Sequence, residues 1–135
     1  MVDKKCCMSS AGLLFLRILM GAGIAYHGYG KVFGGNIEGL TQGVAAMGLP
    51  FPELMAWMAA LSEFGGGLLI VLGLFIRPAA LFVFITMSVA AFIAHGSDPF
   101  AKKELALAYW TMAGALTLTG AGCLSLDGLF FKKKG

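Results

Sequence analysis

Four long apolar runs limit the fold of this chain more than any other feature. The runs cover residues 11–33, 54–76, 79–95 and 104–122. An α-helix needs about 20 mostly apolar residues to cross the hydrocarbon core of a bilayer, and each run is close to that length. Apolar residues within the runs are continuous rather than alternating, which excludes transmembrane β-strands. The sequence therefore predicts an all-α, integral membrane four-helix bundle that forms a single domain over residues 1–135.

The composition favours the same class of protein. Hydrophobic residues make up 59% of the chain and charged residues 13%, whereas a soluble domain is about one quarter charged. This balance argues against a water-soluble enzyme, and it excludes a disordered chain because disorder requires high charge. A cleavable signal peptide is the alternative for the first run, with Lys4 and Lys5 as its charged region. Arg17, inside that run, argues against the signal peptide.

Basic residues predict the orientation of the chain in the membrane. With both termini in the cytoplasm, the inner side carries Lys4, Lys5, Arg77, Lys132, Lys133 and Lys134, and the outer side carries Lys31, Lys102 and Lys103. This excess on the inner side favours a multi-pass protein with both termini cytoplasmic. The basic clusters lack interleaved aromatic residues, so the lipid bilayer is a predicted partner and nucleic acid is not.

The connections between the runs predict how neighbouring helices are joined. The second and third runs meet almost directly at Arg77 and Pro78, which predicts a tight antiparallel hairpin. Between the first and second runs, helical spacing relates Ile37, Leu40, Val44 and Met47. This spacing is typical of a short amphipathic helix in the membrane interface, and an ordinary ordered loop is the alternative.

Ionisable side chains inside the apolar runs are the main functional signal, because an unpaired charge in lipid is costly. In the predicted topology, five of them converge on the outer half of the bundle: His27, Lys31, Glu63, His95 and Glu104. We predict that these five line a ligand-binding pocket, with apolar walls that include Met20, Ile24 and Phe92. A purely structural polar network that fixes the helix register is the alternative.

A second polar group is predicted at the inner surface. Arg17 lies within the first run, and its long side chain can extend toward that surface. Asp127 follows the last run. We expect a structural ion pair between Asp127 and either Arg17 or Arg77, with a solvated Asp127 near Lys132 as the alternative.

The sequence gives weak support for a redox centre carried by this chain. Cys6 and Cys7 are adjacent, and Cys123 is far away, so no C-x-x-C pair is present; acylation of Cys6 and Cys7 is left open. His27 and His95 share a depth, as two haem ligands would, but lone histidines more often form hydrogen bonds in a core, so haem is not expected. A metal site is not expected either.

Several motifs in a fixed order resemble one known family. They read R-I-L-M-G-A-G-I-A-Y-H-G-Y-G-K from Arg17, G-L-P from Gly48, E-F-G-G-G from Glu63, L-G-L-F-I-R-P-A-A from Leu72 and T-G-A-G-C-L-S-L-D up to Asp127. Together they resemble the DoxX family of small four-span membrane proteins over nearly the whole chain. The resemblance implies a four-helix bundle in a bacterial inner membrane. Some relatives belong to membrane redox systems, including a thiosulfate:quinone oxidoreductase, and others to oxidative-stress complexes.

Two classes of function agree with these observations. The first is a redox-linked membrane subunit whose polar pocket binds a quinone or another small apolar molecule. In that class, His27, Lys31 and His95 form hydrogen bonds to the oxygens of the ligand, and Glu63 or Glu104 accepts or relays protons. The second class is a non-catalytic membrane scaffold or assembly component with a structural polar cluster. Redox partner proteins and a homo-oligomer are compatible with both classes.

Overall fold

The fold is built from helices, with no strands among residues 4–130, which are the residues that the computed structural model describes; side chains are described from residue 8 onward. The helices are α1 (Lys4–Val32), α2 (Ile37–Ala46), α3 (Pro52–Leu72), α4 (Ile76–Val89), α5 (Phe100–Thr119) and α6 (Leu126–Phe130), and a π-helical segment, Ala90–Ala94, extends α4. The all-α class predicted from the sequence is confirmed.

Three helical stretches of the described chain are long and apolar enough to cross a membrane. They are Met8–Val32, Pro52–Leu72 and Ile76–Ala94. The fourth predicted span coincides with α5, which has 20 residues and packs against α4. Its first turns contain Lys102, Lys103 and Glu104, so α5 carries more charge than the other three. The long apolar helices agree with a membrane helical bundle.

The junction between α3 and α4 lies earlier than the sequence predicted. α3 ends at Leu72 because Gly73 adopts a left-handed backbone conformation, with φ of 70°, which favours glycine and terminates an α-helix. α4 begins at Ile76, so Arg77 and Pro78 lie in its first turn. Proline is accepted there because backbone N–H groups of the first turn have no partner within the helix. The hairpin is therefore formed at residues 73–75.

The segment between the first two long helices is itself a helix. α2 packs on α3, and its Val44 is buried, with 5% of its surface exposed. The helical alternative for this segment therefore agrees with the structure, and the ordered loop does not. Its location in a membrane interface stays a prediction.

Glycine residues bring α1 and α3 into close antiparallel contact. Gly28 on α1 lies against the backbone of Glu63 and Phe64, and Gly67 on α3 lies against the backbone of Ala25. A Cβ atom added to Gly67 would be 2.7 Å from the Ala25 nitrogen, and one added to Gly28 would overlap the Phe64 nitrogen. Small residues permit this approach between helices in lipid. The contact fixes the last turn of α1 beside the middle of α3.

Replacing Gly28 with alanine should force α1 and α3 apart. The expected loss of unfolding free energy is about 1–3 kcal/mol, which is typical of overpacking. Gly65→Ala on α3 is the matched control, because a Cβ atom there would meet nothing within 4 Å. Unfolding of the purified variants in mixed micelles, followed by circular dichroism, measures both effects. Equal stability of the two variants would contradict this account of the contact.

Candidate functional site

A partly buried ion pair joins the last turn of α1 to the middle of α3. The Lys31 Nζ atom lies 2.6 Å from Oε1 and 2.7 Å from Oε2 of Glu63. The Glu63 side chain is only 3% exposed, whereas that of Lys31 is 29% exposed. Because a carboxylate at this depth needs a compensating cation, the two side chains depend on each other. Lys31 follows Gly28 by about one turn, so the close contact of α1 with α3 positions the pair.

Two cavities meet at this ion pair. The smaller one has a volume of about 160 Å³ and the larger one about 350 Å³. Both are lined by Lys31, Glu63, Ala90 and His95. Both members of the ion pair thus line both cavities, and Lys31 is the more exposed of the two.

The larger cavity lies between α2, α3 and α4 and is mainly apolar. Its walls include Leu40, Val44, Met47, Met55, Met58, Phe82, Ile85 and Val89. Methionine side chains are flexible and polarisable, so walls of this kind can adapt to apolar molecules of different shapes. The larger cavity therefore combines an apolar volume with one charged end, which is typical of a small-molecule site.

The smaller cavity is more polar and lies between α1, α4 and α5. Besides the shared residues, it is lined by the polar side chains of His27, Lys102 and Tyr109. The ring of His27 makes an edge contact with that of Tyr109, with a distance of 6.0 Å between the ring centroids. A polar cavity of this size has room for ordered water.

His95 stands at the end of the π-helical segment and is held by a carboxylate. Its Nδ1 atom lies 2.8 Å from Oδ2 of Asp98. This hydrogen bond, with weaker help from the nearby Lys102, holds the pKa of the Asp98 carboxyl below its ordinary value. The backbone nitrogen of His95 donates to the Ala90 carbonyl, five residues back, so the wider π-helical turn sets the position of the ring. Such turns occur often at functional sites.

The structure brings together four of the five residues predicted to form the pocket. His27, Lys31, Glu63 and His95 all line the smaller cavity. The fifth, Glu104, is exposed and lines neither cavity. Lys102 lines the smaller cavity in place of Glu104. Lys102 lies two helical turns before Tyr109, so both residues are on the face of α5 that is directed toward the bundle. The predicted location of Glu104 was therefore wrong.

The predicted apolar walls agree with the structure in part. Ile24 lines the smaller cavity. Met20, however, lies in the packed core with 2% exposure, and Phe92 is 55% exposed with its ring against Trp110. The wider π-helical turn shifts residues that follow Val89 relative to an ordinary helix, so α-helical spacing did not give the direction of Phe92.

Arg17 forms a second buried polar group at the opposite end of the bundle. Its guanidinium donates hydrogen bonds to the carbonyl oxygens of Ile70 (3.2 Å), Val71 (3.4 Å), Ala121 (2.7 Å) and Leu124 (2.9 Å). The residue is 1% exposed. These carbonyls belong to the last turn of α3 and to the segment after α5, where helix ends leave carbonyl groups without intrahelical partners. Arg17 thus ties three parts of the chain together.

The predicted ion pair of Asp127 with Arg17 or Arg77 is not formed. The Asp127 carboxylate instead accepts hydrogen bonds from the backbone nitrogens of Phe75 (2.8 Å) and Ile76 (2.9 Å) at the start of α4. A carboxylate is favoured there because N–H groups of a first turn lack partners and the helix dipole attracts negative charge. The exposed Arg77 lies near Gly120. Arg17 and Asp127 are therefore each satisfied by backbone groups.

Several sequence predictions concern residues that the structure does not describe. The side chains of Lys4, Lys5, Cys6 and Cys7, and all of Lys132, Lys133 and Lys134, lie outside the described residues. Cys123 is exposed. Within the part that the structure describes, no three His, Cys, Asp or Glu side chains are grouped as ligands of a metal ion.

Asp98, Lys102 and Tyr109 are site residues that sequence analysis missed. Asp98 lies between the apolar runs 79–95 and 104–122, and its three-residue spacing from His95 is the only indication of their contact in the sequence. Lys102 and Tyr109 could have been found from their common helical face, since the positions seven residues apart on α5 point the same way. Nothing in the sequence, however, favours that face over the one with Glu104.

The helices and the paired charges define a small all-α membrane protein with polar side chains buried between its helices. Comparison with known proteins identifies the family: the DoxX family model matches residues 12–96, which include Lys31, Glu63 and His95, and this chain belongs to the DoxX family.

Relatives cover nearly the whole chain. The inner membrane protein YqjF of Escherichia coli is 36% identical over 93% of this chain and 97% of its own length. The inner membrane protein YphA of the same organism is 36% identical over 85% of this chain and 87% of its own length. A Bacillus subtilis protein named "Putative oxidoreductase CatD" is 32% identical, with 91% and 90% of the two chains covered. No solved structure matches.

Proposed function

We propose that this chain is a redox-linked membrane subunit that binds a quinone, or another small apolar molecule with hydrogen-bonding oxygens, beside the Lys31–Glu63 ion pair. The observation that carries the proposal is that this pair borders two cavities. A pair that served only to hold α1 against α3 would gain from complete packing, because open space beside it loses van der Waals contacts. The space is therefore better explained by a ligand.

The charged end of the larger cavity fits the polar head of such a ligand. A lysine ammonium has three N–H donors, and two of the Lys31 donors are used by Glu63. The third is available for a quinone oxygen. Glu63 is the group that accepts or relays a proton, with His27 and His95 as further hydrogen-bonding groups. Glu104 has no part in this proposal, because it is exposed away from both cavities.

The apolar walls of the larger cavity fit the ring and the tail of the ligand. They come from α2, α3 and α4, so a ring bound there contacts side chains of all three helices. The oxidoreductase name carried by the Bacillus subtilis relative supports a redox role. In that role, a partner protein in the membrane exchanges electrons with the bound quinone. The polar groups of this chain supply the binding site and the proton acceptor.

Filling each cavity separately tests where the ligand binds. Ala59→Phe fills the larger cavity and Ala106→Phe fills the smaller one, whereas Ala108→Phe changes an exposed position on α5 and is the control. The measurement is calorimetric titration of each purified variant in detergent with a benzoquinone that carries a decyl tail. We expect Ala59→Phe to weaken binding at least about tenfold, a cost of about 1.4 kcal/mol, and the control to match the unmodified protein. Saturable binding that is unaffected by Ala59→Phe would contradict the proposal.

A membrane scaffold is the second candidate function, and one observation favours it. The Lys31–Glu63 pair connects two helices directly, as a purely structural pair would. In that case, the cavities contain lipid tails or water, and the pair serves only to fix the helix register. Stability and ligand binding of ion-pair variants distinguish the two candidates.

The orientation of the chain is part of the proposal. The connection before α2 and the turn before α5 both lie at the end of the bundle that contains Lys31 and His95. With both termini in the cytoplasm of an inner-membrane protein, reporter fusions at Asn36 and Asp98 should both be exposed on the outer side. Alkaline phosphatase and green fluorescent protein fusions distinguish the two sides, and a cytoplasmic signal at either position would contradict this orientation.

A further inference from the structure

Asp98 forms a hydrogen bond with His95, whose side chain lines both cavities. The two side chains are linked across a tight turn, in which the Asp98 nitrogen also donates to the His95 carbonyl at 3.0 Å. His95 lines both cavities and Asp98 lines neither. Asp98 therefore has no direct contact with a molecule in either cavity, and its hydrogen bond acts on such a molecule through the ring of His95.

The contact with Asp98 determines which ring nitrogen of neutral His95 carries the proton. An ionised carboxylate has only acceptor oxygens, so the nitrogen that faces it must be the donor. Nδ1 faces the carboxylate and therefore carries the hydrogen, which leaves Nε2 with a lone pair. Nε2 has no hydrogen-bond partner among the described residues. His95 thus presents an acceptor.

Lys31 presents the opposite kind of group to the same cavities. Its ammonium is a donor only, and one of its hydrogens is left over from the pair with Glu63. A hydroquinone hydroxyl can donate to Nε2 and can also accept from an ammonium. A quinone carbonyl offers only lone pairs, so it can satisfy Lys31 but not Nε2, and a donor or acceptor left unsatisfied on binding lowers affinity.

We propose that Asp98 is a positioning residue that makes the site prefer the reduced, hydroquinone form of its ligand, by holding His95 as a hydrogen-bond acceptor. This inference rests on the proposed function and adds to it the oxidation state that the site selects. Lys31 supplies the donor and His95 the acceptor for the oxygens of the hydroquinone. No electron transfer is part of the inference, since it concerns the relative affinity of two forms.

Asp98→Asn is the informative substitution. An asparagine amide can offer either its oxygen or its NH₂ group to Nδ1, so the proton of the ring is free to reside on either nitrogen. The variant keeps the size of the side chain in the turn but no longer fixes the acceptor. His95→Gln tests the same point without changing Asp98, because a glutamine amide also offers both a donor and an acceptor.

The test is anaerobic calorimetric titration of the purified full chain in detergent with a decyl-tailed benzoquinone and, separately, with its hydroquinone. At about pH 8, where a neutral imidazole ring is the ordinary form, we expect the unmodified protein to bind the hydroquinone about tenfold more tightly, as one additional satisfied hydrogen bond allows. In Asp98→Asn and in His95→Gln the ratio of the two affinities should fall toward one. Ser97→Ala, which changes an exposed residue in the same turn, should keep the ratio of the unmodified protein.

The outcomes separate this inference from the proposed function. If the unmodified protein binds neither form, the proposed function fails and this inference fails with it. If both forms bind with equal affinity, or if Asp98→Asn and His95→Gln keep the tenfold preference, the inference is overturned while the quinone site stands. A ratio that also falls in Ser97→Ala would assign the effect to the turn rather than to Asp98 and would overturn the inference too.

Discussion

Replacing Arg17 with methionine is expected to destabilise the fold by about 3–5 kcal/mol, the range for removing one member of a buried charged network. The substitution keeps most of the side-chain volume but leaves the Ala121 and Leu124 carbonyls without their donor, and it leaves the Ile70 carbonyl with only the Gly73 nitrogen. An unsatisfied buried polar group costs about 1–3 kcal/mol, and the costs of neighbouring groups partly overlap. We expect the variant to accumulate poorly in membranes and to unfold at a lower denaturant concentration.

Arg77→Met is the matched control for this prediction. It removes the same charge from an exposed position, so its effect on unfolding free energy should stay within about 0.5 kcal/mol. Arg17→Lys should be intermediate, because an ammonium has fewer and differently arranged donors than a guanidinium. If Arg17→Met and Arg77→Met unfold alike, the contacts of Arg17 with the ends of the helices do not stabilise the protein.

Replacing Lys31 alone with methionine is expected to have an effect of similar size. The Glu63 carboxylate, 3% exposed, would lose its counter-ion. Breaking a buried pair by removing one partner typically costs about 3–5 kcal/mol, or the carboxyl becomes protonated instead. Replacing both residues, as Lys31→Met with Glu63→Met, should restore stability to within about 1 kcal/mol of the unmodified protein, because apolar replacements of a whole buried pair are often neutral.

The double variant separates the two candidate functions. In the quinone-site account, it folds but loses binding of the decyl-tailed benzoquinone. In the scaffold account, the pair is needed for the register of α1 against α3, so the double variant should be as unstable as Lys31→Met. Unfolding in mixed micelles and calorimetric titration of the same two preparations give both answers.

The apolar runs and the buried charges were sufficient to predict the helices and the proximity of four residues of the candidate site. The run lengths predicted the helices because a bilayer span imposes a fixed length. His27, Lys31, Glu63 and His95 were correctly placed near one another because ionisable groups inside a membrane need partners, and the helices offer few. Their ligand-binding role stays a prediction.

The side of α5 that faces the bundle could not be chosen from the sequence. One stripe of this helix carries Glu104, Ala108, Thr111 and Ala115, and in the structure all four are exposed. Small residues mark close helix packing in lipid, but they also occur on outward faces. The inner face is instead marked by Tyr109 and the buried Leu116. Only the packing of α5 against α4 decides between the two faces.

The partners of Arg17 and Asp127 were mispredicted for a different reason. Opposite charges near one surface suggest an ion pair, but sequence patterns do not show where helix ends leave backbone groups unsatisfied. The carbonyls at the end of α3 bind Arg17, and the N–H groups at the start of α4 bind Asp127. Each side chain therefore pairs with backbone groups and not with the other side chain. These carbonyls and N–H groups lie on either side of the short hairpin at residues 73–75. The conformation of Gly73 and its neighbours therefore determines where they are found.

Mass spectrometry of the apolar molecules that co-purify with the protein shows whether a quinone occupies the site beside the Lys31–Glu63 pair. The protein and its Lys31→Met, Glu63→Met double variant are to be extracted from the same native membranes in a mild detergent and compared per mole of folded chain. The account predicts that a quinone or hydroquinone is enriched with the unmodified protein and reduced to the level of bulk lipid with the double variant. An identical set of molecules in both preparations would contradict a quinone site at the Lys31–Glu63 pair.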